Sequence, residues 1–181
     1  MNFQTKLRID ITESDHSRGN KNAPTTLVEY GDYECSYCGE ANVVMNQIQE
    51  EMGNELHYVF RNFPLTNLHP HASFAARAAE AAGIQGQFWQ MHDLLFENQS
   101  SLDIKSILQF AIRLNLNINR FRIDFRGNQI MDKIKRDLQG GALSGVNGTP
   151  CFFVNGYRYE DDWSYPTLRA RLLEMQQGLA A

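Results

Sequence analysis

Three cysteines in 181 residues are too few, and one too many, for a secreted disulfide framework. A pair of thiols outside such a framework is more often catalytic or metal-binding. The chain also lacks any hydrophobic run long enough to span a bilayer. Its first residues, Met1-Asn2-Phe3-Gln4-Thr5-Lys6, hold no apolar signal-peptide core. The expected location is therefore cytoplasmic, or periplasmic or extracellular where a leader has been removed. Basic charge is scarce as well: 17 Lys and Arg stand against 21 Asp and Glu, a net charge of −4 that leaves no footprint for nucleic acid. There is no internal repeat and no low-complexity tract. What is present is a hydrophobic content of 43%, enough for a real core in one large domain or a small domain carrying an insertion.

The stretch around which the rest is organised is Cys35-Ser36-Tyr37-Cys38, a C-x-x-C where a strand meets a helix. Before it, Thr25-Thr26-Leu27-Val28-Glu29-Tyr30 is β-branched, aromatic and apolar, which predicts a mostly buried strand. After it, Ala41, Val44, Met45, Ile48 and Met52 recur at helical spacing and stop at Gly53. Two cysteines three apart on a first helical turn share a face and can close a short disulfide. They also sit where free N–H groups and the helix dipole favour a thiolate. Cys35, at the helix mouth, is then the nucleophile, and Cys38, a turn further in, the shielded resolving thiol.

Around this motif, Lys6–Ile11 alternates Leu7, Ile9 and Ile11 against charge and predicts a short half-exposed strand. The polar stretch from Thr12 to Pro24 reads as a loop. Glu55–Arg61 alternates again, so residues 25–61 form a βαβ unit with parallel strands. From about Pro70 to Gly141 only helical spacing appears. The first helix there carries Phe74, Ala78 and Ala82, with Pro70 in its first turn and Gly83 at its end, and the last runs out at Gly140-Gly141. Cys151-Phe152-Phe153-Val154, the Asn155-Gly156 turn signal and Tyr157-Arg158-Tyr159 predict a hairpin. Ser164, Pro166, Leu168, Leu172 and Met175 predict a closing helix. The expectation is one domain over residues 1–181, with a core at about 6–66 and 145–178 and a helical insertion at about 67–142.

The C-x-x-C after a central strand, Gly148-Thr149-Pro150 before a hairpin, and helices between them resemble the thioredoxin superfamily. Within it the chain is similar to the DsbA-like oxidoreductases. Arg61-Asn62-Phe63-Pro64-Leu65 with His69-Pro70-His71 is similar to a cytoplasmic-type branch of that family. The resemblance implies an α/β thioredoxin-like fold, a central mixed sheet flanked by helices, with an all-helical insertion. It implies thiol–disulfide exchange on protein or peptide substrates, recycled by glutathione or a thioredoxin-type reductant or oxidant. Neither a cofactor nor a metal is implied. It assigns Glu29 as a buried acid exchanging a proton with Cys38, where the residue alone also allows an edge-strand carboxylate facing water. It makes Pro150 a cis proline packed on the cysteines, where the residues alone also allow a trans turn. The backbone of Thr149 would then pair with substrate, flanked by Ser36 and Tyr37. The family commonly has proline where this chain has Ser36, so the redox potential does not carry over.

Two readings from other classes compete. One is a zinc module through Cys35, Cys38, His69 and His71. The other is a peptide-binding or chaperone module of the same fold in which the cysteines are incidental. Cys151, the odd cysteine, opens a buried strand and reads as a small hydrophobe, although its place directly after Pro150 also allows an extra regulatory or resolving thiol. His69 and His71 read as capping or preceding the first inserted helix, and His92 as a satisfied interface histidine. Phe88, Trp89 and Phe96 read as core.

Overall fold

A computed structural model describes residues 5–176. Its elements, in chain order, are β1 (His16–Gly19), β2 (Thr25–Gly31), α1 (Ser36–Met52), β3 (Leu56–Asn62), α2 (Ala72–Ile84), α3 (Phe88–Glu97), α4 (Ile104–Arg113), α5 (Ile118–Phe125), α6 (Asn128–Leu143), β4 (Cys151–Val154), β5 (Tyr157–Tyr159) and α7 (Tyr165–Gln176). The five strands form one mixed sheet in the order β1-β3-β2-β4-β5. β2 lies at its centre, parallel to β3 and antiparallel to β4. A strand paired on both edges and covered on both faces reads as a nearly continuous apolar run, which is why only Thr26 of β2 escapes full burial. Helices α2–α6 fall between β3 and β4. This is the mixed sheet with an all-helical insertion expected from the sequence.

The alternation of side chains splits the core in two. Leu27, Tyr58, Phe60, Phe152 and Val154 join a large cluster with residues of α1–α6 and α7. Val28, Tyr30, Val59, Cys151 and Phe153 face the other way, where Phe63, Val146 and Leu138 of α6 cover them. The hairpin turns on Asn155 and Gly156, both at positive φ (47° and 82°), the conformation that favours Asn-Gly.

Three expectations are corrected. Lys6–Ile11 is not a strand. Lys6 makes an isolated bridge to Tyr157 and Leu7 N–H donates to Gly156 O (2.8 Å), but Arg8 N–H donates to the Ser144 hydroxyl, and the Ile9 and Asp10 carbonyls accept from Arg61. Alternation records two-sided exposure there, while side chains satisfy the backbone. The first strand lies instead at His16–Gly19, within the stretch expected to be loop, antiparallel to β3. Side-chain anchorage holds it: the His16 ring stacks on Phe88 and Arg18 lies over Trp89. Finally, α6 continues through Gly140-Gly141 to Leu143, because those glycines let the helix press on Tyr30 and Phe63. Smaller differences occur in α2: it begins at Ala72, beyond Pro70, continues past Gly83, and leaves Phe74 39% exposed while its alanines face the core.

Candidate active site

β2 ends at Gly31, and the chain turns through Asp32–Cys35 into α1. Cys35 is the N-cap residue, extended at φ −75° and ψ 121°, with no side-chain cap hydrogen bond. Its sulfur lies at the helix mouth, where the N–H groups of Tyr37 and Cys38 favour the thiolate. The turn is held by hydrogen bonds: Cys35 N–H donates to Asp32 O (3.1 Å), and Gly39 N–H donates to Cys35 O (3.1 Å). Gln99, just beyond α3, donates through Nε2 to both Tyr33 O (2.9 Å) and Cys35 O (2.8 Å). Ser36 and Tyr37 face solvent, Tyr37 with 62% exposure.

Across from the helix mouth, the Thr149–Pro150 peptide is cis, and the Cys35 thiol donates to Thr149 O (3.4 Å). The Thr149 hydroxyl is buried without a partner among the described residues. All three cysteines are free thiols. Cys35 is 5% exposed and Cys38 fully buried, its sulfur accepting from Asp32 N–H (3.4 Å).

The two thiols are driven apart in acidity. Cys35 is lowered to about 5, first by the thiol hydrogen bond from Cys38 and then, against the opposing effect of burial, by the N–H groups of Cys38 and Tyr37. Cys38 is pushed well up by burial, by donating to Cys35 and by the charge of Glu29. Glu29 is 1% exposed on the central strand, so it is not an edge carboxylate facing water. Burial lifts its carboxyl to about 7 against the pull of the Tyr58 hydroxyl, which donates to Oε2 at 2.7 Å. A thiolate, a neutral thiol and a carboxyl poised near neutrality make a set able to exchange disulfides and pass one proton.

The remaining residues fall elsewhere. Cys151 pairs with Tyr30 across β2 and β4 and packs in the smaller cluster, away from the Cys35–Cys38 face; burial raises its thiol. His92 is buried between the Tyr33 hydroxyl (3.0 Å) and Asn42 Oδ1 (3.3 Å). Phe88 and Phe96 are buried and Trp89 partly so. His69 and His71 bind Asp32 and Glu34 through Nδ1, at 2.8 and 2.9 Å. Among the described residues no group of three or more His, Cys, Asp or Glu side chains converges as a metal site would need, so Cys35, Cys38, His69 and His71 are not gathered into one. Sequence reasoning missed Asp32, Tyr58 and Gln99. The first carries a faint signal, an acid just before the C-x-x-C; a lone glutamine beyond a distant helix carries none.

The family model described as Thioredoxin matches residues 11–173. Among curated proteins, the "Na(+)/H(+) antiporter NhaA 1" of Salinispora arenicola is 46% identical over 166 residues, which is 92% of this chain but 25% of that protein. A protein of the same name from a Mycobacterium species is 39% identical over 91% of this chain and 27% of its own length. The chain thus spans about a quarter of the length of the curated relatives it matches. Among the described residues, no helix is long and apolar enough to cross a membrane. Solved structures share the fold, three of them as follows. A thioredoxin-like oxidoreductase from Silicibacter pomeroyi has a TM-score of 0.82 at 24% identity, covering 92% of this chain and 94% of that one. BdbD from Bacillus subtilis has 0.81 at 19%, covering 97% and 98%. Alpha-DsbA1 from Wolbachia pipientis has 0.81 at 21%, covering 93% and 94%.

Proposed function

The chain belongs to the thioredoxin family and has the DsbA-like fold, and from that premise we propose that it is a thiol–disulfide oxidoreductase acting on protein or peptide substrates. The observation that carries the reading is the asymmetry of the pair: a low-pKa thiol at the helix mouth, and beneath it a buried neutral thiol near a carboxyl held at about 7. In the reducing direction the Cys35 thiolate attacks one sulfur of a substrate disulfide. A Cys35–substrate disulfide forms, and the other substrate sulfur leaves as a thiolate that takes up a proton. Cys38 then gives its proton to Glu29 and attacks the Cys35 sulfur. The Cys35–Cys38 disulfide forms, the second substrate thiolate departs, and two electrons have passed from enzyme to substrate. The reverse sequence donates a disulfide. Glutathione or a thioredoxin-type partner resets the pair, and its potential against that partner sets the net direction.

Substrate recognition follows from the same turn. Thr149 offers its backbone beside Cys35, and exposed Ser36 and Tyr37 flank it, which suits an extended segment added as a single β-strand. The antiporter names belong to proteins more than three times as long, and antiport is not carried over to this chain.

Single-cysteine variants test the assignment. Cys35→Ser is expected to abolish dithiol-dependent insulin reduction and the fast alkylation near pH 6 that a thiol of pKa about 5 gives. Cys38→Ser is expected to keep fast alkylation and accumulate a covalent adduct with a disulfide substrate, read by mass. An adduct in Cys35→Ser alone reverses the roles. Single variants that both react like an unstructured cysteine end the oxidoreductase reading.

A further inference from the structure

The His69-Pro70-His71 stretch plays no part in the exchange reaction above, yet it is bound to the turn that presents Cys35. Asp32 is the hub of that turn. Its backbone N–H donates to the Cys38 sulfur (3.4 Å), and its carbonyl accepts from Cys35 N–H (3.1 Å). Its carboxylate, with a fully buried side chain, accepts from Glu34 N–H (2.9 Å), Leu65 N–H (2.8 Å) and His69 Nδ1 (2.8 Å). Those bonds fix the turn, but they also place a buried negative charge three residues from the nucleophile. A carboxylate in that position disfavours a thiolate nearby. Amide N–H groups soften the charge without cancelling it. Among the described ion pairs of Asp32 the cation is His69, and the Ser36-Tyr37 dipeptide brings none.

We infer that His69, seated on Asp32, is a positioning residue for thiol–disulfide exchange: as imidazolium it neutralises the Asp32 carboxylate and so keeps Cys35 ionised. This rests on the dithiol reading of the site. The charged and titratable groups around His69 agree with it. From the turn come Asp32, Glu34 and Cys35; from its own loop comes His71, which is bound to Glu34. Burial pulls the His69 pKa down, but the Asp32 hydrogen bond and the charges of Asp32, Cys35 and Glu34 outweigh it and leave the pKa raised. At pH values between the two midpoints Cys35 and His69 are ionised together. Above the His69 midpoint the thiolate faces an uncompensated Asp32, so the reactivity of Cys35 is expected to change in two steps with pH.

The test reads Cys35 directly, by rate of alkylation against pH in the reduced protein, with Cys38→Ser and Cys151→Ala as background so that a single thiol remains. His69→Asn, which still donates to Asp32, is expected to move the Cys35 midpoint up by about one unit, to remove the second step and to slow alkylation at pH 5 several-fold. In the parent pair, the glutathione equilibrium should shift toward the disulfide by about tenfold, or about 30 mV. Asp32→Asn added to His69→Asn should return the midpoint toward its starting value, which a merely structural histidine does not predict. An unmoved midpoint in His69→Asn, a double variant whose midpoint stays where His69→Asn put it, or an equal shift in His71→Asn would each overturn the inference. Alkylation needs no turnover, so a parent that reduces no disulfide would sink the function while leaving this measurement readable.

Discussion

Glu29 lies in the middle of β2, opposite Phe60 on β3 and Phe152 on β4, with the Tyr58 hydroxyl as its hydrogen-bond donor. Its carboxyl titrates at about 7 in the folded protein against an ordinary 4.5. Between those values the folded protein holds a proton that the unfolded chain releases, so stability falls as pH rises through that window. At pH 8 the whole cost is present, up to about 3 kcal/mol. Glu29→Gln keeps an acceptor for Tyr58 and removes the charge. It is expected to stabilise the fold at pH 8 by about 1–3 kcal/mol and to be near neutral below pH 4.5, read by urea unfolding. It is also expected to slow resolution of the mixed disulfide more than its formation. Equal stability effects at both pH values, or equal kinetic effects on both steps, would count against the buried-acid role. The positions of Cys35 and Cys38 were legible because spacing on a helix is a local property. The partners that support them were not, since Asp32, Tyr58 and Gln99 act through contacts that appear only when β3, α3 and the loop after it close over the turn.

Elements declared themselves in the sequence where local pattern and tertiary role coincide. β2, α1 and β3 fall within a residue or two of their expected bounds, since β2 is a nearly continuous apolar run, β3 alternates and α1 keeps its stripe. β1 has the sequence His16-Ser17-Arg18-Gly19, with no strand propensity, and is made a strand by β3 alongside it. The glycine pair of α6 misled for a related reason: glycine ends helices by backbone freedom, but within one it marks close approach. A Cβ on Gly141 would meet the Phe63 ring at 2.7 Å and Tyr30 Cδ1 at 3.1 Å. Helix propensity alone favours alanine there by about 1 kcal/mol. Overpacking against two buried rings is expected to outweigh it, so Gly141→Ala should destabilise by about 1–2 kcal/mol net. Phe63→Leu in the same chain should recover part of that loss. A stabilised Gly141→Ala would mean that α6 does not sit as tightly on the sheet as this packing requires.

At the scale of the whole molecule, α2 connects two polar sites. Its N-cap residue, His71, is held by Glu34 beside Cys35, and further along Glu80 enters a buried network that fastens the insertion to the sheet. Glu80 accepts from Asn62 Nδ2 of β3 (2.7 Å) and pairs with His16 of β1 (2.8 Å). Lys133 of α6 lies 3.8 Å from Glu80 and donates to both oxygens of Asp137 at 2.7 Å, while Asp137 accepts from Asn62 N–H (3.1 Å). Arg61, next to Asn62, clasps Asp15 with two hydrogen bonds (2.8 and 3.0 Å) and so ties down the segment before β1. The Arg61-Asn62 pair is therefore explained by docking rather than by chemistry. Lys133 is the cation of that network. Burial lifts Asp137 to about 6 despite Lys133, so its stability cost grows as pH rises from 3.8 toward 6 and is full above that. Lys133→Met leaves buried Asp137 without its cation, takes the ammonium away from Glu80, and drives the Asp137 midpoint higher still. The expected loss is about 3–5 kcal/mol at pH 8, and a clearly smaller one at pH 5, where Asp137 holds its proton. Asp137→Asn in the Lys133→Met chain should restore part of the loss at pH 8 and little at pH 5. The Cys35 alkylation profile should stay unchanged throughout, because the network lies apart from the residues around the thiol. Equal losses at the two pH values would assign the effect to lost packing of the lysine stem rather than to uncompensated charge, and a displaced Cys35 profile would mean that α2 couples the two sites.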